Sequence, residues 1–100
     1  MKIIYVDIDE TICFYKDNIG QNYIDAIPNY YNIQKINKLY NKGNHITYWT
    51  ARGKYSKIDY YDLTKYQLDK WGCKYHELSV GEKPIYDLLI CDRTKRIEEI

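Results

Sequence analysis

One hundred residues, 45% of them hydrophobic, make a single domain over 1–100, near the small end of what one core supports. Fifteen basic residues against fourteen acidic ones leave a net charge of +1. That balance argues against nucleic acid or an anionic membrane as partner, because either calls for a basic surplus on one face.

In chain order, Lys2 to Val6 is a short β-branched run that reads as a buried strand, stopping at Asp7. Asp7, Asp9 and Glu10 interrupt the apolar run a signal peptide would need, and no stretch approaches the roughly 20 apolar residues that span a bilayer. A cytoplasmic location is therefore expected. Cys13 to Pro28 shows neither period and holds Asp17, Asn18 and Gly20, which reads as a loop, with 14–28 a small flap. From Asn29 to Lys42, Ile33, Ile36, Leu39 and Tyr40 recur at helical spacing, and Gly43 is placed to stop that helix.

His45 to Trp49 is a second strand, followed by the polar stretch Thr50-Ala51-Arg52-Gly53. A second helix is predicted from about Lys57 to Trp71, with Tyr61, Leu68 and Trp71 inward and Gly72 as its stop. Cys73 to Leu78 reads as a short strand, Ser79 to Pro84 as a loop, Tyr86 to Cys91 as a further apolar strand, and Thr94 to Ile100 as a terminal helix. The three cysteines, Cys13, Cys73 and Cys91, are odd in number and widely spaced, which suits reduced thiols better than a disulfide framework or a zinc site.

Alternating strands and helices predict an α/β fold, a Rossmann-like and mostly parallel sheet with flanking helices. Ligands of such sheets bind beyond the carboxyl ends of the strands. The polar residues that end the apolar runs are Asp7, Asp9, Thr50, Arg52 and Asp92.

Two carboxylates two residues apart, Asp7 and Asp9, repel each other unless a proton or cation intervenes, and Mg²⁺ suits a site that also holds phosphate. Asp7 is then a nucleophile toward phosphorus, and Asp9 an acid and base. The same residues after a strand also make ordinary turns and helix caps. The Thr50 hydroxyl and Ala51 amide are candidates for holding phosphoryl oxygens, and Arg52 for reaching substrate. Lys83, before Pro84, is a candidate to neutralise the transferring group, and Asp92 to give the metal a further carboxylate.

In this order, Asp7-Ile8-Asp9-Glu10-Thr11, Thr50, Lys83 and Asp92 resemble the four signature motifs of the haloacid dehalogenase superfamily, across nearly the whole chain. The resemblance implies phosphoryl transfer through Asp7 and Mg²⁺ held by Asp7, the Asp9 carbonyl and Asp92. It also brings Ile8 and Ala51 to the substrate. A carboxylate at Asp9 resembles the phosphatase branches. The segments Tyr48–Gly53, Trp71–Leu78 and Lys83–Asp92 resemble small phosphatases of capsular or surface polysaccharide biosynthesis. Their last motif commonly ends in paired aspartates, whereas Cys91 stands first here and Asp92 keeps the ligand position.

So short a chain has no room for a large cap, and Tyr15, Lys16 and Arg52 are the expected substrate contacts. An uncapped site is open unless a homo-oligomer covers it. The expected activity is Mg²⁺-dependent hydrolysis of a small phosphorylated substrate, such as a sugar phosphate. Three alternatives stand beside it: a nucleic-acid end, a phosphoprotein, or phosphate or partner binding without turnover. A receiver domain is set aside, because Thr50 and not Asp follows the middle strand.

Overall fold

The computed structural model describes residues 1–16, 22–81 and 97–100. Strand β1 (Ile3–Asp7) lies parallel to β4 (His45–Thr50), which lies parallel to β5 (Glu77–Val80), in the order β1-β4-β5. Between them run helices α1 (Tyr30–Asn41) and α2 (Tyr61–Lys70), so each helix carries the chain from one strand to its immediate neighbour. The expected α/β fold with a parallel sheet and flanking helices is present. Strand β4 buries Ile46, Thr47 and Tyr48 in succession, on both faces, as a central strand does. Strand β1 was expected to be buried throughout, but Val6 faces the core while Ile3 and Tyr5 are exposed.

The core gathers Val6, Ile8, Ile33, Ile36, Ile46, Tyr48, Leu68 and Trp71 around the sheet. Helix α1 follows its sequence pattern closely: Asn29 Oδ1 caps it by accepting from Asn32 N at 3.0 Å, and Gly43 follows it at φ +95°. Buried Asn37 ties α1 to the chain beyond α2, donating to Gly72 O at 3.0 Å and accepting from Lys74 N at 2.8 Å.

Other boundaries shift. Helix α2 starts at Tyr61 and not near Lys57, because Lys57 has φ +62°, which no helix admits. Tyr61, expected inward, is exposed at the first turn, and Thr64 and Gln67 share the buried face with Leu68. The strand expected at Cys73–Leu78 is β5 at Glu77–Val80, so Ser79 and Val80 are paired with Trp49 and Thr50 rather than looped. Where a flap is expected at 14–28, the described residues hold a two-residue antiparallel ladder, β2 (Cys13–Phe14) on β3 (Ile27–Pro28), and a 3₁₀ turn at Tyr23–Asp25. At the C-terminus the described residues form a 3₁₀ turn at Ile97–Glu99, and Lys35 Nζ donates to Ile97 O at 3.2 Å. The strand expected at Tyr86–Cys91 lies outside the described residues.

No helix among the described residues is long and apolar enough to cross a membrane. Cys13 and Cys73 carry free thiols.

Candidate active site

The carboxyl end of β1 delivers Asp7 opposite Trp49, one residue before Thr50 on β4. The chain then turns tightly: Thr11 N and Ile12 N both donate to Ile8 O, at 3.2 and 3.0 Å, and Glu10 takes φ +64°. Helix α1 braces this turn at its start, since Asn29 N donates to Ile12 O at 2.8 Å and Asn32 Nδ2 to Thr11 O at 3.0 Å. The turn leaves Asp9 partly buried over the end of β4.

Four side chains converge on the Asp9 carboxylate. Tyr15 donates to Oδ1 at 2.6 Å and Thr50 to Oδ2 at 3.0 Å. Arg52 Nη2 donates to Oδ1 at 2.8 Å, and Arg52 Nε to Oδ2 at 3.1 Å. Cys13 Sγ approaches Oδ1 at 3.6 Å. Burial pushes the Asp9 carboxyl upward, but the bonds from Arg52 and Tyr15, the guanidinium charge and the Thr50 hydroxyl outweigh it and hold it below the usual carboxylate range. Asp9 is therefore ionised. Burial, then the neighbouring Asp9 charge, pushes the Cys13 thiol up to about 12 and the Tyr15 phenol well above its usual value. Both groups stay protonated and act as donors.

Three of the expected site residues, Arg52, Thr50 and Ile8, lie inside the protein. Arg52 is 1% exposed, held between partly buried Asp9 and the buried Thr64 and Gln67. Thr50 is equally buried, and its hydroxyl donates to Asp9. Ile8 is wholly buried and its amide donates to Trp49 O at 3.2 Å. Tyr15 also turns its hydroxyl to Asp9, while its ring joins Phe14, Lys16, Pro28, Asn29 and Tyr30 around a shallow open pocket. Ala51 is exposed just beyond β4. Lys83 and Asp92 lie outside the described residues.

A cation at this site would meet hard oxygen donors. The Asp9 carboxylate is committed to Arg52, Thr50 and Tyr15, which leaves its backbone carbonyl to serve a metal beside Asp7. That donor set fits Mg²⁺. Among the described residues no three His, Cys, Asp or Glu side chains form a metal cluster.

Gln67 and Thr64 gave no sequence signal as motifs. Their spacing held one: residues 64, 67, 68 and 71 fall on one helical face, so two polar side chains had to be buried with Leu68 and Trp71.

No family model matches the chain, and no curated protein matches it. It is similar to a crystal structure of a Vibrio cholerae protein known by a target designation, at 26% identity and a TM-score of 0.78. That match covers 99% of this chain and 86% of the other. The class defined by the fold is a small α/β protein with a mostly parallel sheet.

Proposed function

We propose that this protein is a Mg²⁺-dependent phosphomonoester hydrolase of the haloacid dehalogenase type, acting on a sugar phosphate or related small metabolite. One observation carries the reading. Asp7 and Asp9 emerge together at the carboxyl end of β1, and the Asp9 carboxylate is held in a fixed orientation by Tyr15, Thr50 and Arg52.

In this reading Asp7 attacks phosphorus, the bond from phosphorus to the leaving oxygen breaks, and Asp9 gives that oxygen a proton. Asp9 then takes a proton from the water that cleaves the aspartyl-phosphate. At rest Asp9 is a carboxylate, the form needed for the second half. An arriving phosphate dianion brings like charge, which raises the proton affinity of Asp9, and the proton it gives the leaving oxygen is taken up from solvent as substrate binds. Bound Mg²⁺, held by Asp7, the Asp9 carbonyl and Asp92, would neutralise charge on the phosphoryl group. Lys83 would add to that neutralisation, and the Ala51 amide would bind a phosphoryl oxygen. Lys16 and Tyr30, exposed at the pocket beside Tyr15, are the proposed contacts to the rest of the substrate. The net charge of +1 favours a small substrate over a nucleic-acid end. A role in surface polysaccharide biosynthesis rests on the motif resemblance.

A second reading, phosphate binding without turnover, draws on the ion pair itself, because a buried guanidinium gives Asp9 a structural reason to exist. Phosphate release from a panel of phosphorylated sugars and metabolites separates the two. Turnover that needs Mg²⁺, stops with EDTA and is abolished in Asp7→Asn is the expected result. Folded, Mg²⁺-loaded protein that binds phosphate and releases none from any ester would replace the first reading with the second.

A further inference from the structure

Gln67 sits on α2, buried and away from the strand ends, yet it meets the far side of the Asp9 clamp. Its Oε1 accepts from Arg52 Nη1 at 2.6 Å, and its Nε2 donates to Tyr23 O at 2.7 Å. Only this orientation of the amide satisfies both neighbours. The reverse would set amine against guanidinium and oxygen against carbonyl.

One turn earlier, Thr64 Oγ1 accepts from the same Nη1 at 3.3 Å and donates to Tyr60 O at 2.7 Å. The Tyr23 ring covers the guanidinium, 4.7 Å from Cζ. A guanidinium is a rigid plane. Fixing Nη1 from α2 therefore fixes the opposite edge, Nε and Nη2, that faces Asp9.

We propose that Gln67 is a positioning residue for the acid step, orienting Asp9 through Arg52 and tying that orientation to the 22–28 segment through Tyr23. The proposal rests on the phosphatase reading. When the ester bond breaks, its electron pair goes to the leaving oxygen, which takes the proton from Asp9. A 4-nitrophenolate leaves readily without that proton, whereas an alkoxide does not. Hydrolysis of the shared aspartyl-phosphate, where Asp9 acts as base, does not enter kcat/KM, so misplacing Asp9 lowers kcat/KM selectively for alkyl phosphates, and loss of general folding or metal binding lowers it for both alike.

The test compares an alkyl phosphate with 4-nitrophenyl phosphate in wild-type protein and in Gln67→Met, with Mg²⁺ and folding checked by circular dichroism. The expected result is a fall in kcat/KM of about tenfold on the alkyl ester, a modest part of what an acid contributes. The aryl ester should lose less than about threefold. Gln67→Glu keeps an acceptor for Arg52 but sets an oxygen against Tyr23 O, so it should restore alkyl turnover only in part. Should Gln67→Met fail to fold, Gln67→Asn, whose amide is withdrawn from Arg52, has the same expected sign. Equal losses on both esters, or none on the alkyl ester, would overturn the role. A wild-type protein inactive on both esters would instead overturn the phosphatase reading, and this role with it.

Discussion

Arg52 Nη2 stands 2.8 Å from Asp9 Oδ1 across 43 residues of sequence, with the arginine side chain wholly enclosed and the aspartate about a quarter open to solvent. The asymmetry decides what each substitution does. Asp9→Asn leaves a guanidinium charge inside the protein with neutral partners only. It should cost about 3 kcal/mol, the low end for a broken buried pair, because Gln67 and Thr64 remain. Adding Arg52→Met to Asp9→Asn removes the orphaned charge and should recover part of that loss. Urea midpoints of the two single variants and the double variant measure the coupling.

The same pair sets an acid limit. The folded-state pKa of Asp9 is depressed, so its contribution to stability is fully present above the unfolded value of about 4 and is lost as pH falls through the folded value. Chemical denaturation between pH 6 and pH 2.5 should show wild-type stability falling in acid. Asp9→Asn should show a shallower fall, because it has no carboxylate left to protonate there.

Gly53 holds the loop that leads from Arg52 into α2. It has φ +85°, and a Cβ there would come within 2.0 Å of Ile58 O. Gly53→Ala should therefore cost at least about 2 kcal/mol, from strained backbone plus a clash with main chain that has no room to shift. Gly43→Ala is the control: φ is similarly positive at +95°, but nothing lies within 4 Å. It should cost only about 1 kcal/mol, read from thermal unfolding of both variants.

Asn37→Leu should cost about 2–3 kcal/mol. The leucine fits the apolar surroundings but leaves both Gly72 O and Lys74 N without the partners Asn37 gives them. Hydrogen exchange at Lys74 N should quicken well before global unfolding. An unchanged rate would mean that another group takes over the amide.

Much of the fold was legible because it depends on local pattern. The apolar spacing of α1, its asparagine cap and the glycines after both helices act within a few residues, and those boundaries came out close to the prediction. Helix α2 was misread at its start because the Gly53–Tyr60 loop is shaped by positive φ at Gly53 and Lys57, and a lysine in that conformation has no sequence mark. Asp7 and Asp9 announced themselves through their spacing. Arg52 was placed correctly in the chain and wrongly in space. A charged residue after a strand ordinarily faces water, and only partners 43 and 15 residues away bring this one inside. The bonds from the Thr50 and Tyr15 hydroxyls to Asp9 were hidden for the same reason, since nothing local in the sequence marks Asp9 as their acceptor.

The enclosure of Arg52 also divides the molecule by its tolerance of change. Everything that orients Asp9 is interior or turned inward, namely Thr50, Arg52, Thr64, Gln67 and the hydroxyl of Tyr15, and each is bound to at least one of the others or to Asp9 itself. Lys16, Tyr30 and Ala51 at the rim have exposed side chains outside that set. Evolution can therefore exchange the exposed residues singly, whereas the interior set can change only in concert.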